Sequence, residues 1–252
     1  MNTVDVKKLT KKFGYFTAVD SISFYVKRGE IFGFLGPNGA GKSTTIRMLC
    51  GIIRPTSGIA YVGGFRIDTQ SEEIKKIIGY MSQKFTLYQD LTVDENIDFY
   101  GGIHGLPDSE KKERKQWVLK MSGLSGKEHF STMKLSGGWK QRLSLGCAII
   151  HQPEILFLDE PTASVDPVSR RDFWDLIYDL SAEGTTVFVT SHYMDEVERC
   201  HRVAILYAGK IIALGSPKEL KSKFTQKEDS TLEEVFISAV NKQKREEALN
   251  LD

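Results

Sequence analysis

The sequence predicts an α/β fold, one large domain with a lobe, and three stretches carry that prediction. Gly36-Pro37-Asn38-Gly39-Ala40-Gly41-Lys42-Ser43-Thr44 stands between an apolar run, Ile31 to Leu35, and a segment opening Thr45-Ile46-Arg47-Met48-Leu49 that reads as helix. Ile155-Leu156-Phe157-Leu158 is continuously apolar, fits a strand buried on both faces of a parallel sheet, and ends in Asp159-Glu160. Thr185 to Thr190 is a β-branched strand, with His192 two residues past it. At 252 residues the chain is long enough to bury a full core.

The first stretch is a phosphate cradle. Glycines at 36, 39 and 41 let the backbone curl so that successive N–H groups face phosphate oxygens, and the following helix turns its positive end on the same point. Lys42 supplies a point charge for β- and γ-phosphates, and Ser43 a hydroxyl where Mg²⁺ would bridge them.

In chain order, Val4 to Leu9 and Ser21 to Val26 read as strands, with Ile22, Phe24 and Val26 alternating with polar positions, so an antiparallel start feeds the cradle. Phe13-Gly14-Tyr15-Phe16 puts aromatics in a loop between them, where stacking on a nucleobase and simple packing are both open. Ile59 to Val62 is a strand, Ser71 to Ile78 a short helix stopped by Gly79, and Tyr80 to Gln83 a short strand and its exit. The Gln83 amide could reach a metal or its water, or be merely solvated.

From about 86 to 134 the pattern becomes helical. Thr92-Val93-Asp94-Glu95 is a capping box, and Asp108 to Ser122 a second helix with Trp117 and Met121 on one face. Leu135-Ser136-Gly137-Gly138-Trp139 then opens a helix whose Leu143, Cys147 and Ile150 share a face. It is a second anion-binding arrangement, although an ordinary N-cap would look the same. Asp159 and Glu160 leave a buried strand where open α/β sheets bind ligands, which assigns them a task. Asp166-Pro167 caps the next helix, which carries Phe173, Ile177 and Leu180 and ends at Gly184. Val203 to Leu206 and Lys210 to Leu214 form a hairpin, Ser216 to Glu219 a capping box, and Thr231 onwards an amphipathic tail that frays beyond Lys242.

A net charge of +1 provides no field to attract nucleic acid or an acidic membrane. Cys50, Cys147 and Cys200 are widely spaced, which disfavours a metal site or disulfide framework and fits a reducing cytosol. No apolar run approaches membrane-spanning length, so the expectation is a chain neither secreted nor membrane-spanning.

Taken together, Gly36 to Thr44, Gln83, Leu135 to Gly138, Ile155 to Glu160, Asp166 and His192 resemble, in order, the ATP-binding cassette (ABC) ATPases across residues 3 to 220. Pro161 to Arg171 and the tail Leu232 to Phe236 resemble the nucleotide-binding subunit of an ABC-2-type exporter. The resemblance implies a P-loop NTPase core with an N-terminal antiparallel β subdomain and an α-helical subdomain inserted at about 86–134. The ATPase domain would span 1–220, with a helical tail over 221–252. It assigns Phe13 to adenine stacking, Gly36 to Thr44 to the phosphates, Ser43, Gln83 and Asp159 to Mg²⁺, Glu160 to the general base, and His192 to the γ-phosphate. Gln83 would also relay to a membrane partner. Ser136, Gly137 and Gly138 would close on ATP held by a second ABC ATPase subunit, a homodimer ahead of a heterodimer.

A separate transmembrane permease would complete the assembly, with the chain cytoplasmic and peripheral on the inner face of the cell membrane. The competing expectation is a soluble ABC ATPase acting on nucleic acid or ribosomes. Near-zero charge, a single cassette and the lack of zinc-spaced cysteines or a long coiled coil count against it, so no nucleic-acid partner is expected. Two departures from the family pattern stand out: Trp139, where a polar residue is usual, and the order Ala163-Ser164-Val165-Asp166.

Overall fold

The computed structural model describes residues 2–83, 87–163, 165–225 and 230–249; Ser164 and residue 86, where the insertion is expected to begin, fall outside them. Strands β1 (Asn2–Phe13) and β2 (Phe16–Lys27) form a long antiparallel hairpin, and β1 also pairs with β4 (Ser57–Val62), which pairs with β5 (Phe65–Arg66). The hairpin is longer than the sequence pattern suggests. Phe13 and Phe16 pair across it, leaving only Gly14 and Tyr15 as the turn.

A second sheet runs in the order β10-β9-β3-β8-β7-β6, comprising β3 (Ile31–Leu35), β6 (Ile78–Met81), β7 (Ile155–Asp159), β8 (Thr186–Ser191), β9 (Arg202–Tyr207) and β10 (Lys210–Gly215). All neighbours are parallel except β9 and β10. Its central strands are buried on both faces, as their predominantly apolar sequences require. Alternate residues feed two cores. Phe32, Phe34 and Phe188 meet Phe24 of the antiparallel sheet, with Phe157 against Phe188, while Leu35, Leu156, Leu158, Val187 and Val189 face the helices.

Helix α1 (Lys42–Leu49) begins three residues before the expected Thr45, so Lys42, Ser43 and Thr44 form its first turn. Helix α2 (Ser71–Ile77) ends before Ile78, which with Gly79 belongs to β6. Gly79 is therefore not a helix stop: a Cβ there would lie 2.4 Å from the Ala148 carbonyl, so the glycine permits a close backbone approach. The insertion holds α3 (Val93–Ile103), with its reciprocal capping box, and α4 (Asp108–Ser122), around a small core of their own with Leu143 and Cys147. Helices α5 (Gly137–Ala148) and α6 (Pro167–Ala182) pack on the sheet, followed by α7 (Met194–Val197), α8 (Pro217–Thr225) and α9 (Leu232–Leu249).

Helix α8 crosses the division expected at 220, and α9 buries Leu232, Val235 and Ala239 in the sheet's core. The helix also continues past Lys242, where fraying was expected, with Lys242 and Glu246 paired one turn apart at 3.9 Å.

Where the insertion meets the core, the His104 ring stacks on His151 at 3.5 Å, and His151 Nε2 lies 3.0 Å from the Ile78 carbonyl. Burial first, then the neighbouring His104 and Arg114, push His151 down to about 4. In the unfolded chain it would titrate near 6.5. Between those values the unfolded state binds more protons, so this contribution is complete above about pH 6.5 and is lost as pH falls toward 4. Urea unfolding at pH 7 and pH 5 should show wild type losing on the order of 1–2 kcal/mol more than His151→Gln. Equal losses would mean His151 is not buried in its neutral form.

Candidate functional site

Parallel pairing brings the ends of four strands to one edge, because Leu35 pairs with Ser191, Asp159 with Thr190 and Met81 with Leu158. The residues just past those ends are the cradle, His192, Glu160 and Gln83. Residues widely separated in sequence thus converge at the C-terminal edge of the sheet, the expected ligand edge of an open α/β sheet.

The cradle curls tightly. Gly39 and Gly41 have φ of 80° and 103°, and a Cβ on Gly41 would lie 2.6 Å from the Ala18 carbonyl. Lys42 folds back along the loop, donating to the carbonyls of Gly36 at 2.8 Å and Pro37 at 3.2 Å, and pairs with Glu160 Oε1 at 3.2 Å. These contacts engage the three donors of its ammonium. Both side chains of the pair are buried.

Glu160 has a left-handed φ of 49°, an uncommon conformation for a side chain of this kind. Its N–H donates to Thr190 Oγ1 at 2.9 Å, which holds that turn. Its other carboxylate oxygen, Oε2, accepts from Gln83 Nε2 at 3.0 Å and lies 3.1 Å from His192 Nδ1. Next to it, Asp159 Oδ1 accepts from Ser43 Oγ at 2.9 Å and from Thr190 Oγ1 at 2.7 Å. Lys42, Ser43, Gln83, Asp159, Glu160 and His192 therefore form one connected group. Thr190, which binds both acids, was missed in the sequence. Its only signal was its place as the last predicted residue of a strand ending beside them.

A cleft of about 400 Å³ opens onto this group, lined by Asn38, Gly39, Gly41 to Thr44, Gln83, Glu160 and the two rings Phe13 and Phe16. Phe13 and Phe16 are 51% and 63% exposed, so packing does not occupy them, and either ring stands at the cleft. Ser136 caps α5 by accepting from Trp139 N at 3.5 Å, with Gly137 and Gly138 in the first turn; this second arrangement does not line the cleft. Trp139 packs partly into the insertion's core beneath Lys127, 4.8 Å from its ring centre. Asp166 caps α6, accepting from Val168 and Ser169 N–H; these bonds, led by Ser169's, hold its carboxyl below the usual range. The three cysteines are buried and unpaired by disulfides, with desolvation raising each thiol. Among the described residues, no three His, Cys, Asp or Glu side chains group into a metal cage.

Residues 19–163 match the family described as ABC transporter. The chain is 48% identical over 240 residues to the probable multidrug ABC transporter ATP-binding protein YbhF of Escherichia coli (strain K12), covering 94% of this chain and 42% of that relative. It therefore spans less than half of that protein's length. It is 40% identical to the linearmycin resistance ATP-binding protein LnrL of Bacillus subtilis (strain 168), covering 94% of this chain and 76% of that one. Among solved structures, a dimeric post-hydrolysis ATP-binding cassette bound to ADP and Pi superposes with a TM-score of 0.76 at 27% identity, covering 84% of this chain and 98% of that chain.

The close approach at Gly41 makes the cradle sensitive to one methyl group. Gly41→Ala should weaken binding of a fluorescent ATP analogue by about tenfold or more, with far-ultraviolet circular dichroism unchanged. Unaltered affinity would separate the ligand site from this loop.

Proposed function

The chain belongs to the ABC transporter family of ATP-binding proteins, and on that footing we propose that it binds and hydrolyses ATP as the ATP-binding subunit of a membrane exporter. The observation that carries this reading is the Lys42, Glu160, Gln83 and His192 group at the end of four parallel strands, with Ser43 and Asp159 beside it. Gly36 to Thr44 would hold the β- and γ-phosphates, and Phe13 would stack on adenine. The oxygen donors of Ser43 and Asp159 already meet at one point and suit Mg²⁺, a hard cation that completes its shell with phosphate and water; Gln83 would join them. Bound there, Mg²⁺ would neutralise charge on the phosphates. Glu160 would then serve as general base for the attacking water and His192 as donor to the γ-phosphate.

Two further features extend the reading. Ser136, Gly137 and Gly138 stand at a helix N-terminus outside the first cleft, which supports their acting on ATP held by a second subunit. A homodimer is favoured over a heterodimer. A separate transmembrane permease would complete the assembly, with this chain cytoplasmic and peripheral on the inner face of the membrane; no described helix is itself long and apolar enough to cross a membrane. Residues 1–220 would form the ATPase domain, the segment at about 86–134 its helical subdomain, and 221–252 a tail. Tyr88, Phe99 and Ile103 are exposed on that helical subdomain and offer an apolar surface for the permease. The soluble alternative acting on nucleic acid or ribosomes gains no support from the relatives, which are named for transport or resistance.

Glu160→Gln should retain ATP binding while hydrolysis falls by roughly 10² to 10⁴, with an ATP-bound dimer appearing on size-exclusion chromatography. Hydrolysis at the wild-type rate would remove Glu160 from the role of base. For assembly, mixing Lys42→Ala with Ser136→Arg chains should give activity above either parent, since one site of each mixed dimer is intact. If mixed dimers form without any recovery, Ser136 does not act across the interface.

A further inference from the structure

Behind the catalytic edge lies a buried carboxylate that the proposed chemistry does not use. Glu196, in the short helix α7, is 2% exposed. Its Oε1 accepts a hydrogen bond from Thr162 Oγ1, and its Oε2 accepts one from Ser191 Oγ at 2.6 Å. Both hydroxyl residues are buried, and Ser191 Oγ also accepts from Tyr193 N–H at 2.9 Å. Arg170 Nε stands 3.4 Å from Oε1, and its guanidinium lies over the Tyr193 ring at 4.8 Å.

The positions of these partners give the arrangement its meaning. Thr162 lies two residues after Glu160, and Ser191 directly precedes His192. One carboxylate therefore clamps the two segments that carry the proposed base and the proposed γ-phosphate donor, whose side chains meet 3.1 Å apart on the far side. Only an acceptor at both oxygens can take two hydroxyl protons and face a guanidinium as well. A glutamine amide would have to present a donor to one of those three groups. An ordinary packing role would be met by an apolar side chain at lower desolvation cost, whereas this site holds a carboxyl group with partners on both oxygens in the interior.

We infer that Glu196 is a positioning residue of the ATPase site, fixing Glu160 and His192 relative to each other through Thr162 and Ser191. The inference rests on the ATPase reading above. It makes the base and the phosphate donor a single mechanical unit, so neither loop shifts without the other.

The test compares the wild-type chain with E196Q and with T162V, which removes one bridge while keeping the Glu196 side chain itself. Hydrolysis is followed by phosphate release, ATP affinity by displacement of a fluorescent analogue, and folding by thermal melting. Misplacement of reacting groups predicts that kcat falls about tenfold or more in both variants while ATP affinity stays within about twofold. Placing E196Q in an E160Q background should lower the residual rate by clearly less than it costs in the wild type, because part of its effect acts through Glu160. Wild-type kcat in E196Q overturns the inference. So does a loss of affinity and melting temperature in step with kcat, or a full additional loss in the E160Q background. A wild-type chain that binds ATP without hydrolysing it overturns the ATPase reading itself, and the inference with it.

Discussion

The buried pair between Lys42 and Glu160 is the constraint around which the rest of this site is arranged. Each charge is removed from water, at a cost that only close partners can offset. The arrangement supplies them: two loop carbonyls and the carboxylate for the ammonium, and the ammonium, Gln83 and His192 for the carboxylate. None of these partners is near another in sequence except within the cradle. The parallel sheet is what makes the pair affordable, since it delivers four strand ends to one edge at fixed spacing.

The same geometry links ligand binding to chemistry. A phosphate entering the proposed cradle would compete with Glu160 for the Lys42 ammonium, because all three donors of that group are already engaged. Glu160, in turn, is held by three donors rather than standing free. Its left-handed backbone is kept in place by Thr190, which also binds Asp159. The two acids share one support yet face different partners, Ser43 for Asp159 and Lys42 for Glu160. That division gives adjacent carboxylates distinct environments.

Much of this was legible in the sequence because the signals were local. Glycine spacing marked the cradle, an unbroken apolar run marked a strand buried on both faces, and capping residues at Thr92, Ser136 and Asp166 marked helix starts that the structure retains. Failures came where long-range packing decided the outcome. Gly79 looked like a helix stop, but its role is the approach of the Ala148 carbonyl from a distant helix. The chain beyond Lys242 looked like a fraying end from its charge, yet α9 continues to Leu249 from the amphipathic start that packs Leu232, Val235 and Ala239 against the sheet. Thr190, Ser191 and Glu196 had no motif to announce them, and nothing in the sequence pairs Thr162 with Glu196 or Thr190 with Asp159, contacts made across 30 or so residues of chain.

The placement of α9 also bears on the site. It packs on α7, the helix that carries Glu196, and Lys221 of α8 pairs with Glu198 at 2.8 Å just beyond it. Val197 and Cys200 sit in the same core as Leu232 and Val235. The segment after His192 is thus held on one side by the Thr162, Glu196 and Ser191 bridge and on the other by the C-terminal helices. A four-residue helix has little stability of its own, because its nucleus costs more than its few hydrogen bonds return. Its order must come from what it packs on, the strands β3 and β8, that bridge and the C-terminal helices, which are accordingly part of what holds the proposed catalytic edge rather than an appendage to it.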